Sequence, residues 1–132
     1  MKMMTLKCLC LVLCLALFAT DAYAYQQCRL FGGHLASIES EEENARVAAA
    51  INAVGDITKD WIIGGSDLGR EGNYIWVGLN KKATYLNFNA GEPNNNGGSE
   101  NCLAMGSAAG SKWNDIPCNY KGAGFVCAFI YL

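Results

Sequence analysis

The chain has 132 residues, 52% of them hydrophobic, and a formal net charge of −2. That length and composition suit one domain with a sizeable core. With 10 basic against 12 acidic residues and no Lys/Arg cluster, nothing is provided to track a phosphate backbone, so nucleic acid is not an expected partner.

Residues 1–24 read as a signal peptide. Lys2 and Lys7 give a positive start, Leu9 to Phe18 an apolar stretch, and Ala22-Tyr23-Ala24 the small residues that a signal peptidase accepts. The apolar stretch is too short to span a bilayer. The expected mature domain, residues 25–132, is then secreted and extracellular, with eight basic and eleven acidic residues. Cys8, Cys10 and Cys14 leave with the leader, and Cys28, Cys102, Cys118 and Cys127 remain. Four cysteines in a secreted chain predict two disulfides, with three pairings open. Zinc is the weaker reading, because there is no Cys-x-x-Cys pair and His34 is the only histidine.

Farther along, Ser40 followed by Glu43 forms a capping box, and Glu41 to Glu43 suit the positive end of a helix. Ala45, Val47, Ala48, Ile51 and Val54 follow helical spacing, and Gly55 is placed to end it. After this helix come short β-branched or aromatic runs: "WIIGG", "NYIWVGL", "TYLNF", "NCLAMG" and "GFVCAFIYL". One well-defined helix followed by short antiparallel strands predicts an α+β fold. Trp61, Trp76 and Phe125 are expected in the core, Trp113 as packing beneath a site, and His34 as structural.

The stretch "GEPNNNGGSENC", residues 91–102, is rich in turn formers. It also carries oxygen ligands: Glu92 and Asn94 on either side of Pro93, then Glu100 before Cys102, with Asn114 and Asp115 following Trp113. Pro93 is a candidate for a cis bond in a tight turn. Calcium takes roughly 6–8 such oxygens. A Cys102–Cys118 bridge would draw the two segments together.

"EPN", then Glu100 before a cysteine, then "WND" before another, resembles the C-type lectin family. The "GGHLASIES" helix approach and the closing "GFVCAF" match it as well, and "IIGGSDLGREGNYIW" is similar to small secreted invertebrate members. The resemblance covers nearly all of the mature chain. It implies a C-type lectin-like fold with a long calcium-binding loop region, and disulfides Cys28–Cys127 and Cys102–Cys118. It further implies that Glu92, Asn94, Glu100, Asn114 and Asp115 hold calcium and bind the sugar. The Glu-Pro-Asn order resembles members that prefer mannose, fucose, glucose or N-acetylglucosamine. Innate recognition of glycans, and homo-oligomerisation, are expectations of the same kind.

Two departures from the family stand out. Only Tyr25, Gln26 and Gln27 would precede Cys28 after leader removal, so the domain looks shortened at its start. The strand "FVCAFIYL" would then present an open edge. At the auxiliary cation site of some members, Asp67 and Glu71 have suitable spacing, but Asn95 and Asn101 stand where carboxylates are expected. That site is expected to be empty or weak, and affinity at the principal site about 10⁻⁴–10⁻³ M. Catalysis by a carboxylate pair among Glu92, Glu100 and Asp115 is disfavoured, since all three lie among Asn and Gly, not in an apolar pocket. The alternative function is a calcium-independent protein-binding or structural lectin-like domain.

Overall fold

The computed structural model describes residues 4–9, 20–106 and 110–131. The apolar stretch of the expected leader lies, apart from Leu9, outside the described residues. In chain order the elements are β1 (Met4–Leu9), α1 (Asp21–Leu30), β2 (His34–Leu35), α2 (Glu41–Val54), β3 (Asp60–Ser66), β4 (Ile75–Trp76), β5 (Lys81–Lys82), β6 (Cys102–Gly106), β7 (Trp113–Ile116) and β8 (Gly124–Tyr131).

The sheet is covered on both faces, and period-2 alternation sorts its side chains. Trp61 and Ile63 of β3, Leu103 and Met105 of β6, and Val126 and Ala128 of β8 pack with Val47 and Ile51 of α2. Their neighbours Ile62, Ala104, Phe125 and Cys127 face the other way, toward Ala24 and Cys28 of α1. Two covered faces explain why these strands read as unbroken apolar runs instead of alternating ones. Trp61, Trp76 and Phe125 are buried, as their sequence contexts predict.

Helix α2 starts where the capping box places it. Ser40 Oγ accepts from Glu43 N–H at 3.1 Å, while Glu43 Oε2 accepts from Glu39 N–H at 2.7 Å. The buried face differs from the expected one. Asn44, Val47 and Ile51 are buried, whereas Ala45 and Val54 are exposed. Asn44 occupies the buried stripe because its amide finds two partners there, described below.

A second helix precedes the well-defined one. Helix α1 begins at Asp21, capped by Thr20, so the expected cut after Ala24 falls inside it. The strands are also not all antiparallel: β3 runs parallel to β8 through Trp61↔Gly124 and Ile62↔Phe125. "TYLNF" forms no named strand, and contributes only an isolated bridge from Phe88 to Trp113. Of "NYIWVGL", only Ile75–Trp76 is strand, and Val77–Leu79 turns into 3₁₀ helix.

The edge of β8 is covered in the full chain. β1 pairs with it antiparallel from Met4↔Tyr131 to Leu9↔Val126, opposite the side taken by β2 and β3. The expected open edge therefore exists only if residues 4–9 are removed.

Disulfides join Cys28 to Cys127, 99 residues apart, and Cys102 to Cys118, 16 apart. On a chain-entropy basis the short loop contributes about 3 kcal/mol and the long one nearly 5 kcal/mol.

Candidate functional site

The site is built outward from Trp113, which is fully buried. The rings of Trp76, Tyr85 and Phe88 meet its indole edge-on at 5.6, 5.7 and 6.0 Å. Its Nε1–H donates to Asn44 Oδ1 at 2.7 Å, and Asn44 Nδ2 donates to the Ser111 carbonyl at 3.0 Å. Beside it, Trp113 N–H donates to Asn87 O and Asn89 N–H donates to Trp113 O, both at 2.9 Å. Glu92 N–H then donates to Asn89 O at 2.9 Å. The loop that starts at Glu92 is thereby fixed to the strand that carries Asp115.

Two residues beyond Trp113, on the same side of β7, Asp115 is 3% exposed. Its Oδ1 accepts from Asn94 N–H at 3.1 Å and its Oδ2 from Asn95 N–H at 2.7 Å. Glu92 accepts the Asn94 side-chain amide at 2.9 Å and the Asn94 N–H at 3.2 Å. Glu100 Oε1 accepts from Asn96 N–H at 2.6 Å, and Asn95 Oδ1 accepts from Glu100 N–H at 3.1 Å. Asn95, Gly97 and Gly98 all have positive φ, which accounts for the Asn/Gly content of the loop. The Glu92–Pro93 peptide bond is cis.

Hydrogen bonds thus link Glu92, Asn94, Glu100 and Asp115 into one unit. They do not reach Asn114, the fifth predicted ligand, whose side chain has no hydrogen bond among the described residues. The charges of the three acids are coupled. Partial burial, the neighbouring Asp115 carboxylate and the charge of Glu100 push the Glu92 carboxyl up to about 7 from its ordinary 4.5. Asp67 is 1% exposed; its Oδ2 accepts from Gly72 N–H at 2.8 Å and its Oδ1 has no hydrogen-bond partner among the described residues. Burial, Asp67 and Asp115 raise the Glu71 carboxyl as well. Of the expected auxiliary set, Asn95 is committed to Glu100, and Asn101 offers its backbone carbonyl to Asp67 N–H at 3.2 Å.

Glu92, Asn94, Glu100 and Asp115 offer carboxylate and amide oxygens of the kind a hard divalent cation takes, while the buried carboxylate oxygen without a hydrogen-bond partner, Asp67 Oδ1, lies outside that set. The oxygens are currently held by the loop's own N–H groups. Among the described residues no three His, Cys, Asp or Glu side chains are grouped closely enough to hold a metal as they stand.

A model of the Lectin C-type domain matches residues 19–129. The chain belongs to this family. Its members are carbohydrate-binding proteins and not enzymes, and their binding is often calcium-dependent. A perlucin-like protein of Mytilus galloprovincialis is 36% identical over 104 residues, which cover 79% of the chain and 66% of that relative. The chain therefore spans about two thirds of the relative's length. The crystal structure of the cow C-type carbohydrate-recognition domain of CD23, in the presence of GlcNAc2Man3 oligosaccharide, superposes with a TM-score of 0.77. It is 30% identical, and the match covers 100% of the chain and 91% of that domain. A calcium-independent type II antifreeze protein is also similar, with a TM-score of 0.70 and 29% identity over 84% of the chain and 78% of its own. The fold, here with two helices, a mixed sheet and two disulfides, is thus shared both with a carbohydrate-recognition domain and with a calcium-independent protein.

Asn44 is the residue that sequence reasoning missed. The signal was present: Asn44, Val47, Ala48 and Ile51 obey i, i+3, i+4, i+7 spacing better than a stripe begun at Ala45. A polar residue on that stripe points to a buried partner.

Proposed function

We propose that the protein is a secreted, calcium-dependent lectin for mannose-type sugars, meaning mannose, fucose, glucose or N-acetylglucosamine. The observation that carries this reading is the hydrogen bonding that ties Asp115 of β7 to the loop carrying Glu92, Asn94 and Glu100, where burial and the neighbouring carboxylates raise the Glu92 carboxyl. These four residues and Asn114 would hold the cation, which supplies open coordination places for sugar hydroxyls. Glu92 and the Asn94 amide now satisfy each other at 2.9 Å. A hydroxyl can take over both roles, donating to the carboxylate and accepting from the amide N–H. Acid before proline and amide after it fixes that donor order.

Residues 1–24 would direct secretion and be removed, and recognition of glycans on microbial surfaces in innate defence is the role this binding would serve. Assembly into oligomers would raise avidity for repeated sugars.

A second reading is favoured by the loop's own bonding. Backbone N–H groups already occupy the carboxylates, and a calcium-independent protein shares the fold. In that case the domain binds a protein surface, or is structural, and ignores the ion.

Retention on a mannose column with and without EDTA separates the two. Retention in calcium, its loss in EDTA, and its loss in Asp115→Ala are expected of the lectin. Retention that survives either EDTA or Asp115→Ala overturns it.

A further inference from the structure

The tip of the acidic loop is a tight turn closed by three hydrogen bonds. Gly98 N–H donates to Asn95 O at 2.8 Å, Glu100 N–H to Asn95 Oδ1 at 3.1 Å, and Asn96 N–H to Glu100 Oε1 at 2.6 Å. Each of the rings they close passes through the Asn96–Gly97 peptide bond. The N–H groups of Asn94 and Asn95 that donate to Asp115 lie on the N-terminal side of that bond, outside these rings.

The same peptide bond joins the one asparagine of the sequence that is followed by glycine. Both residues are exposed. The Asn96 side-chain amide and the Gly97 N–H each lack a hydrogen-bond partner among the described residues. Gly97 has φ +70°, with nothing within 4 Å of where a Cβ would stand, so no side chain crowds its nitrogen. Every other asparagine precedes a residue that carries a Cβ, which hinders attack by that residue's nitrogen on the asparagine side chain.

From this juxtaposition we infer that Asn96 is a self-modification site whose isoaspartyl product detaches Glu100 from the turn. The Gly97 nitrogen attacks Asn96 Cγ. The N–Cγ bond forms as the Cγ–Nδ2 bond breaks, and the side-chain amide leaves as ammonia, carrying the proton from Gly97. Water then opens the cyclic imide. Opening at the Asn96 main-chain carbonyl returns a proton to the Gly97 nitrogen, leaves a free carboxylate on that carbon, and routes the backbone through Cγ. The main chain is then one methylene longer inside all three rings, so their bonds cannot all re-form, while Asp115 keeps its two N–H donors. A further consequence, that calcium is held less tightly once Glu100 is displaced, rests on the calcium reading above. Loss of the groups that orient a ligand weakens a metal site about tenfold or more.

The test holds the oxidised full chain in warm, mildly alkaline buffer with EDTA, beside an Asn96→Gln variant and a short peptide of residues 91–101 as the unstructured reference. Glutamine closes the corresponding ring far more slowly, because that ring is one atom larger. Electron-transfer mass spectrometry of tryptic fragments distinguishes isoaspartate from aspartate. Ammonia release and isoaspartate at position 96 are expected in the full chain, and neither in Asn96→Gln. In ¹⁵N-labelled protein the modified fraction should show the Gly98 and Glu100 amides shifted further than those of Asn94 and Asn95. Calorimetry then compares calcium binding by the unmodified chain, the isoaspartyl form and Asn96→Asp, which adds the charge without lengthening the backbone. The isoaspartyl form should bind about tenfold more weakly, and Asn96→Asp should not. Absence of isoaspartate at position 96 once the peptide has converted, or unmoved Gly98 and Glu100 amides in the modified chain, would overturn the inference. Equal calcium affinity of the unmodified and isoaspartyl forms would overturn its consequence. Failure of all three forms to bind calcium counts against the calcium reading alone, since the modification and the amide shifts are read in EDTA.

Discussion

Asn44→Ala, taken alone and with Asn87→Ala, tests how the site is anchored. Asn44 is 4% exposed, and its two bonds are to Trp113 Nε1 at 2.7 Å and to Ser111 O at 3.0 Å. Truncation leaves the indole N–H of a fully buried tryptophan without an acceptor, at a cost of about 1–3 kcal/mol. The Ser111 carbonyl adds little to that loss, because Asn87 Nδ2 also donates to it at 3.0 Å. Asn87→Ala by itself is mild for the same reason. Only the double variant strips Ser111 O of both donors, so its destabilisation should exceed the sum of the singles by about 0.5–1 kcal/mol. Urea unfolding of the oxidised protein, followed by tryptophan fluorescence and compared at a common m value, measures this. In thermal melts the single Asn44 variant should fall by roughly 4 °C per kcal/mol lost. A loss below about 0.5 kcal/mol for Asn44→Ala, or strict additivity in the cycle, would refute the account of Asn44 as the anchor of Trp113.

In EDTA, stability should fall as pH rises from about 4.5 to about 7. Glu92 binds its proton more tightly folded than unfolded, so the contribution is complete below 4.5 and lost by about 7. Melts at pH 5 and pH 7 check this, and Glu92→Gln should flatten the dependence. Calcium affinity should move the opposite way, rising over the same interval as the proton ceases to compete, which calorimetry at the two pH values reads directly. Replacing both Cys102 and Cys118 by serine should cost about 3 kcal/mol, measured by urea unfolding, and should weaken calcium binding as well. If the secreted protein starts at Tyr25, as N-terminal sequencing would report, β1 is gone and the β8 edge is open. Sedimentation should then show the mature form self-associating more than a version that keeps β1.

Much of this protein is legible in its sequence because the signals are local. Ser40 and Glu43 begin α2 through contacts within one turn, and Asn95, Gly97 and Gly98 mark a loop by their backbone freedom. The ordered "EPN", Glu100 and "WND" segments carried the family resemblance, and with it the disulfide pairing that the cysteine count alone left open. The tertiary structure decided what depends on distant segments. It chose Asn44 over Ala45 for the buried stripe, because the partners of that amide lie 67 and 69 residues away. It made β3 parallel to β8, since that pairing depends on how the chain between them crosses back. It also joined four of the five proposed ligands while leaving Asn114 outside their network. Propensity acts over a turn or a strand; burial and charge act between whichever segments the fold brings within a few ångströms, and no local pattern encodes that choice.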